Sequence, residues 1–201
     1  MNNATSACMV ALAVLGFGIA IGGCKGRAAT VRETVSAVDV NSRDSRQQTP
    51  LHLAALADDA DEVRQLVSRG AVIDALDRKN RTPLHSACAK ERVKAARALI
   101  ELGASLSARD DDGSVPLHFA ASKGLPEIAR AMLDRKAEID VQNKRGFTPL
   151  HYAVFENEIE MVRVLLAAGA DTTARDKDGR TVRDLAVVKK RTAILPLLPG
   201  S

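Results

Sequence analysis

Apolar residues along this chain come in two alternating short blocks, and the whole pattern returns every 33 positions. Blocks starting at residues 49, 82, 115 and 148 read Thr-Pro-Leu-His, Thr-Pro-Leu-His, Val-Pro-Leu-His and Thr-Pro-Leu-His, and a fifth start at 181 is the degenerate Thr-Val-Arg-Asp. Thr before Pro is a good helix N-cap, because its hydroxyl accepts an otherwise unpaired backbone N–H. Pro at the first helical position gives up a donor that has no partner there anyway. Leu51, Leu84, Leu117 and Leu150 are then the inward positions of a first helix. Small residues follow them, first Ala54, Ala87, Ala120 and Ala153, next Ala55, Cys88, Ala121 and Val154, so that paired helices can approach closely. The second block supplies three more columns: Val63, Ala96, Ala129, Val162; Leu66, Leu99, Met132, Leu165; and Val67, Ile100, Leu133, Leu166. Spacing of i, i+3, i+4 places these on one face of a second helix.

The polar punctuation keeps the same register. Gly70, Gly103 and Gly169 follow the second helix, where a left-handed residue closes the last turn. Lys136 holds that place in the third unit, at an expected cost of up to ~1 kcal/mol. Asp44, Asp77, Asp110, Asn143 and Asp176 stand five residues before each start, and Gly113, Gly146 and Gly179 two before it, which predicts a tight turn at the tip of a β-hairpin-like finger.

A 33-residue period carrying Thr-Pro-Leu-His resembles the ankyrin repeat over about residues 37 to 195. The resemblance implies an all-α solenoid of helix-turn-helix units with β-hairpin-like fingers: four full repeats plus degenerate caps. No unit buries its apolar face alone, so neighbours must stack. A first finger begins near residue 37, and residues 28 to 36 read as a degenerate capping helix. At the other end, Thr181 to about Lys189 forms a fifth first helix, and Thr192 to Leu198 a short second helix curtailed by Pro196 and Pro199.

Composition narrows the function classes. Aromatics are 2% of the chain, and the net charge of +4 is spread without a long basic block, so base stacking and a nucleic-acid arm are both disfavoured. Three cysteines, Cys8, Cys24 and Cys88, cannot make a disulfide framework, and Cys88 lies in a column of small buried residues. The four histidines, His52, His85, His118 and His151, all fill the same slot of the motif. Stacking places them about 10 Å apart, too far to share a shell of ~2 Å metal bonds. Each is expected instead to bond the capping Thr and the adjacent loop. Asp110, Asp111 and Asp112 read as one finger turn, with no downstream Glu at calcium-loop spacing. No phosphate loop, nucleophile elbow or metal-ligand cluster is present, so no cofactor and no enzymatic activity are expected.

What the ankyrin resemblance implies is a concave binding face made of finger tips and first helices. Its variable positions fall here on Ser45, Arg46, Gln48, Leu56 and Ala57 in the first unit. The second unit contributes Arg78, Lys79, Arg81, Ala89 and Lys90. From the third come Asp111, Asp112, Ser114, Ser122 and Lys123, and from the fourth Lys144, Arg145, Phe147, Phe155 and Glu156. Phe147 and Phe155 are half of the chain's phenylalanines and fall near Tyr152. Two readings stand side by side: an exposed aromatic anchor for a partner, or rings that pack on each other and on the next repeat. Basic fingers in units two and four flank an acidic one in unit three, a pattern that favours the inverse charges on a partner.

Ahead of the repeats, residues 9 to 23 carry no charge and end Ile21-Gly22-Gly23-Cys24. Fifteen apolar or small residues fit a signal-peptide core and fall short of the ~20 that span a bilayer. The ending resembles a bacterial lipobox, which implies that Cys24 becomes the lipidated first residue and that residues 24 to 36 hold the domain, 37 to 201, off the membrane. The segment before the apolar run lacks Lys and Arg, and positive charge follows it instead, the arrangement of an uncleaved anchor. The expected protein is thus a monomeric scaffold in the cell envelope, facing the periplasm. Bacterial ankyrin proteins of this kind stabilise an envelope enzyme or act as immunity-type inhibitors. The alternatives are a secreted effector that binds host proteins and, more remotely, a metal protein or enzyme.

Overall fold

The computed structural model describes residues 39–199. The apolar segment, Cys24 and the expected capping helix at 28–36 lie outside them. Four helix pairs follow one another: α1 (Pro50–Ala57) with α2 (Ala60–Ser68), α3 (Pro83–Ala89) with α4 (Val93–Glu101), α5 (Pro116–Ser122) with α6 (Pro126–Asp134), and α7 (Pro149–Glu156) with α8 (Ile159–Ala167). A ninth helix, α9 (Val182–Val188), begins a further unit. Here the second helix expected over Thr192–Leu198 is a single 3-10 turn, Leu195–Leu197, because Pro196 removes a donor and Pro199 ends the segment. No strand forms among the described residues, so the fingers are turns rather than paired hairpins.

The first helices α1, α3, α5, α7 and α9 pack side by side in one row, and α2, α4, α6 and α8 form a second row behind them. Leu51, Leu84, Leu117 and Leu150 lie between the rows, fully buried, and each contributes about 2 kcal/mol through burial alone. The small columns Ala55, Cys88, Ala121, Val154 and Val63, Ala96, Ala129, Val162 are equally buried. On the second helices, Leu66, Leu99, Met132 and Leu165 are core, whereas Val67, Leu133 and Leu166 are only half-buried and Ile100 is fully covered.

Three left-handed backbone positions recur in each unit. The one after the second helix holds Gly70, Gly103 and Gly169 near φ +90°, and Lys136 adopts φ +66° in the same place, as the pattern predicts. One at the finger holds Gln47, Asn80, Gly113, Gly146 and Gly179. The third, after the first helix, holds Asp58, Glu91, Gly124, Asn157 and Lys190, all with φ between 55° and 71°. Five different residues fill it, so no glycine signature marks it in the sequence.

Neighbouring units are tied together by polar bonds as well as packing. Each finger turn is organised by its own carboxylate or amide. Asp77 Oδ1 accepts the N–H groups of Lys79 (2.8 Å) and Arg81 (2.9 Å), and Asn143 Oδ1 those of Arg145 (2.9 Å) and Phe147 (3.1 Å). One backbone bond then crosses to the next finger: Arg78 N–H to Arg46 O, Asp111 N–H to Lys79 O, Lys144 N–H to Asp112 O, and Lys177 N–H to Arg145 O.

Candidate functional site

The histidine column shows why the repeat leaves little chemistry free. His85 Nδ1 accepts the Thr82 N–H (3.2 Å), and Nε2 bonds the Ser114 carbonyl in the next unit (3.2 Å). His118 does the same between Val115 N–H (3.1 Å) and Phe147 O (2.9 Å), and His52 and His151 reach Arg81 O (3.0 Å) and Arg180 O (3.4 Å). A carbonyl can only accept and an N–H can only donate, so each ring must be neutral with its proton on Nε2. Burial holds all four below the usual histidine range, His85 and His118 down to about 4, although the backbone bonds pull the other way. These side chains cap a helix and bolt it to its neighbour. Cys88 is likewise consumed: burial pushes its thiol up to about 12.

On the outer row of second helices, charges pair with one another. Arg64 meets Glu101 (3.2 Å), Arg97 meets Glu127 (3.3 Å) and Arg130 meets Glu160 (3.2 Å). All are well exposed, so each adds less than about 1 kcal/mol, and Lys94 and Arg163 on the same row have no such partner among the described residues.

The first-helix row and the fingers are different, and the residues expected to bind a partner divide there into three groups. Some are already engaged. The Arg78 guanidinium donates to Ser45 O, the Lys144 ammonium to Asp111 O (2.6 Å), and Asp111 Oδ1 accepts from Asn80 (2.7 Å). Arg81 forms a 2.9 Å ion pair with Asp77. Burial pushes the Asp77 carboxyl up, but the Arg81 and Lys79 N–H groups and the guanidinium outweigh it and hold the group below its usual value. Asp110, with Ser114 where Asp77 has Arg81, lacks that cation, and burial leaves it raised.

Phe147 is the correction. It is only 2% exposed, so it cannot anchor a partner. Its ring stacks on His151 (centroids 5.4 Å) and meets Tyr152 edge-on (5.4 Å), and Phe155 lies 6.3 Å away. Phe147 precedes the cap Thr148 and Tyr152 is the fourth helical residue, which makes the pair a hydrophobic staple. Packing wins here because the slot before the cap faces the neighbouring finger, where Gln48 and Ser114 are also buried and Arg81 and Arg180 are half-buried.

A third group remains available. Lys79, Lys90, Asp112, Lys123 and Glu156 are exposed, and among the described residues their side chains make no hydrogen bond or ion pair. Arg145 is exposed with its guanidinium 4.6 Å over the Phe147 ring. Tyr152 and Phe155 are half-buried; the Tyr152 hydroxyl accepts from Asn143 Nδ2 (3.1 Å), and the Lys189 ammonium sits 4.1 Å over the Phe155 ring. Ser114, His118, Phe119, Ser122 and Tyr152 enclose a dimple of about 60 Å³. Phe119, edge-on to His85 at 5.6 Å, was not among the expected contacts, and neither was Val188, which is 62% exposed. The register is the signal that could have found them: Phe119 stands 33 residues before Tyr152, and Val188 33 after Phe155.

A family model described as ankyrin repeats (3 copies) matches residues 19–110 and 102–176. No curated protein matches the chain.

Proposed function

The chain belongs to the ankyrin-repeat family, whose members are generally protein-binding scaffolds rather than enzymes, and we propose that this one holds a partner protein along its first helices and fingers while tethered to a bacterial cell envelope. The observation that carries the binding face is its open apolar side chains: Leu53, Phe119, Tyr152, Phe155 and Val188 are at least partly exposed along the first helices, with the exposed Lys123, Glu156 and Lys189 at the ends of the same helices. An amphipathic rim around an apolar stripe is the anatomy of a specific interface.

Lipidation of Cys24, after the apolar run ending Ile21-Gly22-Gly23, supplies the tether in this reading and places the repeats in the periplasm, as a monomer that stabilises an envelope enzyme or neutralises a toxin. Two experiments test it. Affinity purification from envelope extracts compares the full chain with Ser122→Arg, which fills the dimple, and Phe155→Ala. Loss of the same captured protein in both, with unchanged circular dichroism, supports the groove; retention moves the interface elsewhere. Intact-mass measurement of the mature chain then reads the tether: a diacylated or triacylated Cys24 supports it, and a free N-terminus after cleavage or an intact apolar segment sinks it.

A further inference from the structure

We infer that the segment of the partner seated in this groove is an acidic amphipathic α-helix lying along the row of first helices. This rests on the groove reading above and adds the chemistry and shape of the occupant.

The shape follows from spacing. The apolar stripe offers Leu53, Phe119, Tyr152, Phe155 and Val188, each at least partly exposed, with one or two in the first, third, fourth and fifth units and only the small Ser86 and Ala89 at the matching places of the second. Packed helices lie about 8–10 Å apart, so the stripe repeats at that interval. Seven residues of an α-helix advance about 10.5 Å and return a side chain to nearly the same face, giving one apolar contact per unit without strain. Three residues of an extended strand cover about the same distance, but the third points to the opposite face. A strand therefore falls out of step with the stripe, whereas a helix with apolar residues at i, i+3 or i+4, and i+7 stays in step.

The sign follows from the two borders. The finger border carries Arg46, Lys79, Asp112, Arg145 and Asp178; the border at the ends of the first helices carries Lys90, Lys123, Glu156 and Lys189. Six of these nine are basic and three acidic, and one of the acids, Asp178, is already paired with Arg180. Lys90 and Lys123 are the C-cap residues of α3 and α5, exposed beside the deepest part of the stripe. A helix whose apolar face fills the stripe would bring carboxylates on both flanks to these cations. Asp112 and Glu156 call for a neutral or basic residue at the matching turn, which sets the direction of the bound helix.

The test is a display library of peptides about four turns long, each position drawn from Glu, Lys, Leu, Ala and Ser, selected against the full chain. The expected pool is rich in Glu, with Leu at helical spacing, and its leading peptide loses about tenfold in affinity against a Lys90→Glu, Lys123→Glu variant. The same peptide keeps its affinity for Arg64→Glu, Arg97→Glu on the outer row. Enrichment of Lys-rich or alternating sequences, no enrichment at all, or equal loss in both variants overturns the inference. If the captured envelope protein is still lost with Ser122→Arg in those cases, the groove reading stands and only the acidic helix falls.

Discussion

Val154 and Val187 occupy the same place in successive units, six residues beyond the cap, yet the first is fully buried and the second is 59% exposed. The difference is entirely the neighbour. Val154 has the nine-residue helix α8 behind it and α9 beside it. Behind Val187 there is only the 3-10 turn, with Ile194 and Leu198 tucked into the core and the Arg183 guanidinium donating to the carbonyls of Leu198 and Pro199, both at 3.2 Å. A column read from the sequence thus fixes where a side chain points, while its burial depends on whether the next unit is complete. In a solenoid, stability belongs to the interfaces.

Acid gives the largest expected effect on this contrast. His85 and His118, in the interior, are held at about 4, below the value near 6.5 of an unfolded chain. The unfolded state therefore binds more protons between those values. Stability is complete above about pH 6.5 and falls as pH drops toward 4, by about 1.4 kcal/mol per pH unit for each of the two rings. Denaturant melts at pH 7, 5.5 and 4.5 should show a loss of several kcal/mol, reduced in His118→Gln. The low Asp77 and Asp176 carboxyls add their own loss only below about pH 4, as their protonation releases the finger bonds.

Next comes Phe147→Ala, which should cost about 3–5 kcal/mol in a thermal or chemical melt by emptying a buried slot. Phe155→Ala, half-exposed, should cost about 1 kcal/mol and leave the chain folded. Equal costs would mean that the staple on Tyr152 is not formed. The identical substitution at the paired valines comes third: Val154→Ala should lose about 2 kcal/mol and Val187→Ala less than about 0.5 kcal/mol. A Val187 cost as large as that of Val154 would show that the end is covered in solution. Smallest is Lys136→Gly, expected to raise stability by up to about 1 kcal/mol because φ is +66° there. A lower melting temperature would mean that the lysine stem contributes more than the backbone strain removes.

Much of this was legible in the residues. The 33-residue register placed the caps, the histidine bolts, Cys88 and the left-handed Lys136 where they are found. It was less informative wherever the outcome depends on a partner side chain. Phe147 sat on a position that varies between units, and the clue to its burial was its offset from Tyr152 across the cap rather than its column. Phe119 stands 33 residues before Tyr152 and Val188 33 after Phe155, so the register marked both columns, but residue type within a variable column says little about exposure. The expected second helix over Thr192–Leu198 shortened to one 3-10 turn because Pro196 lies inside it and not at its start, and Pro199 follows directly.

The exposed column at Val187 also bears on how the molecule behaves when crowded. Beside Val188 it leaves a small apolar patch open to water, 59% and 62% exposed, a place where two copies of the repeat domain would meet before their charged faces do.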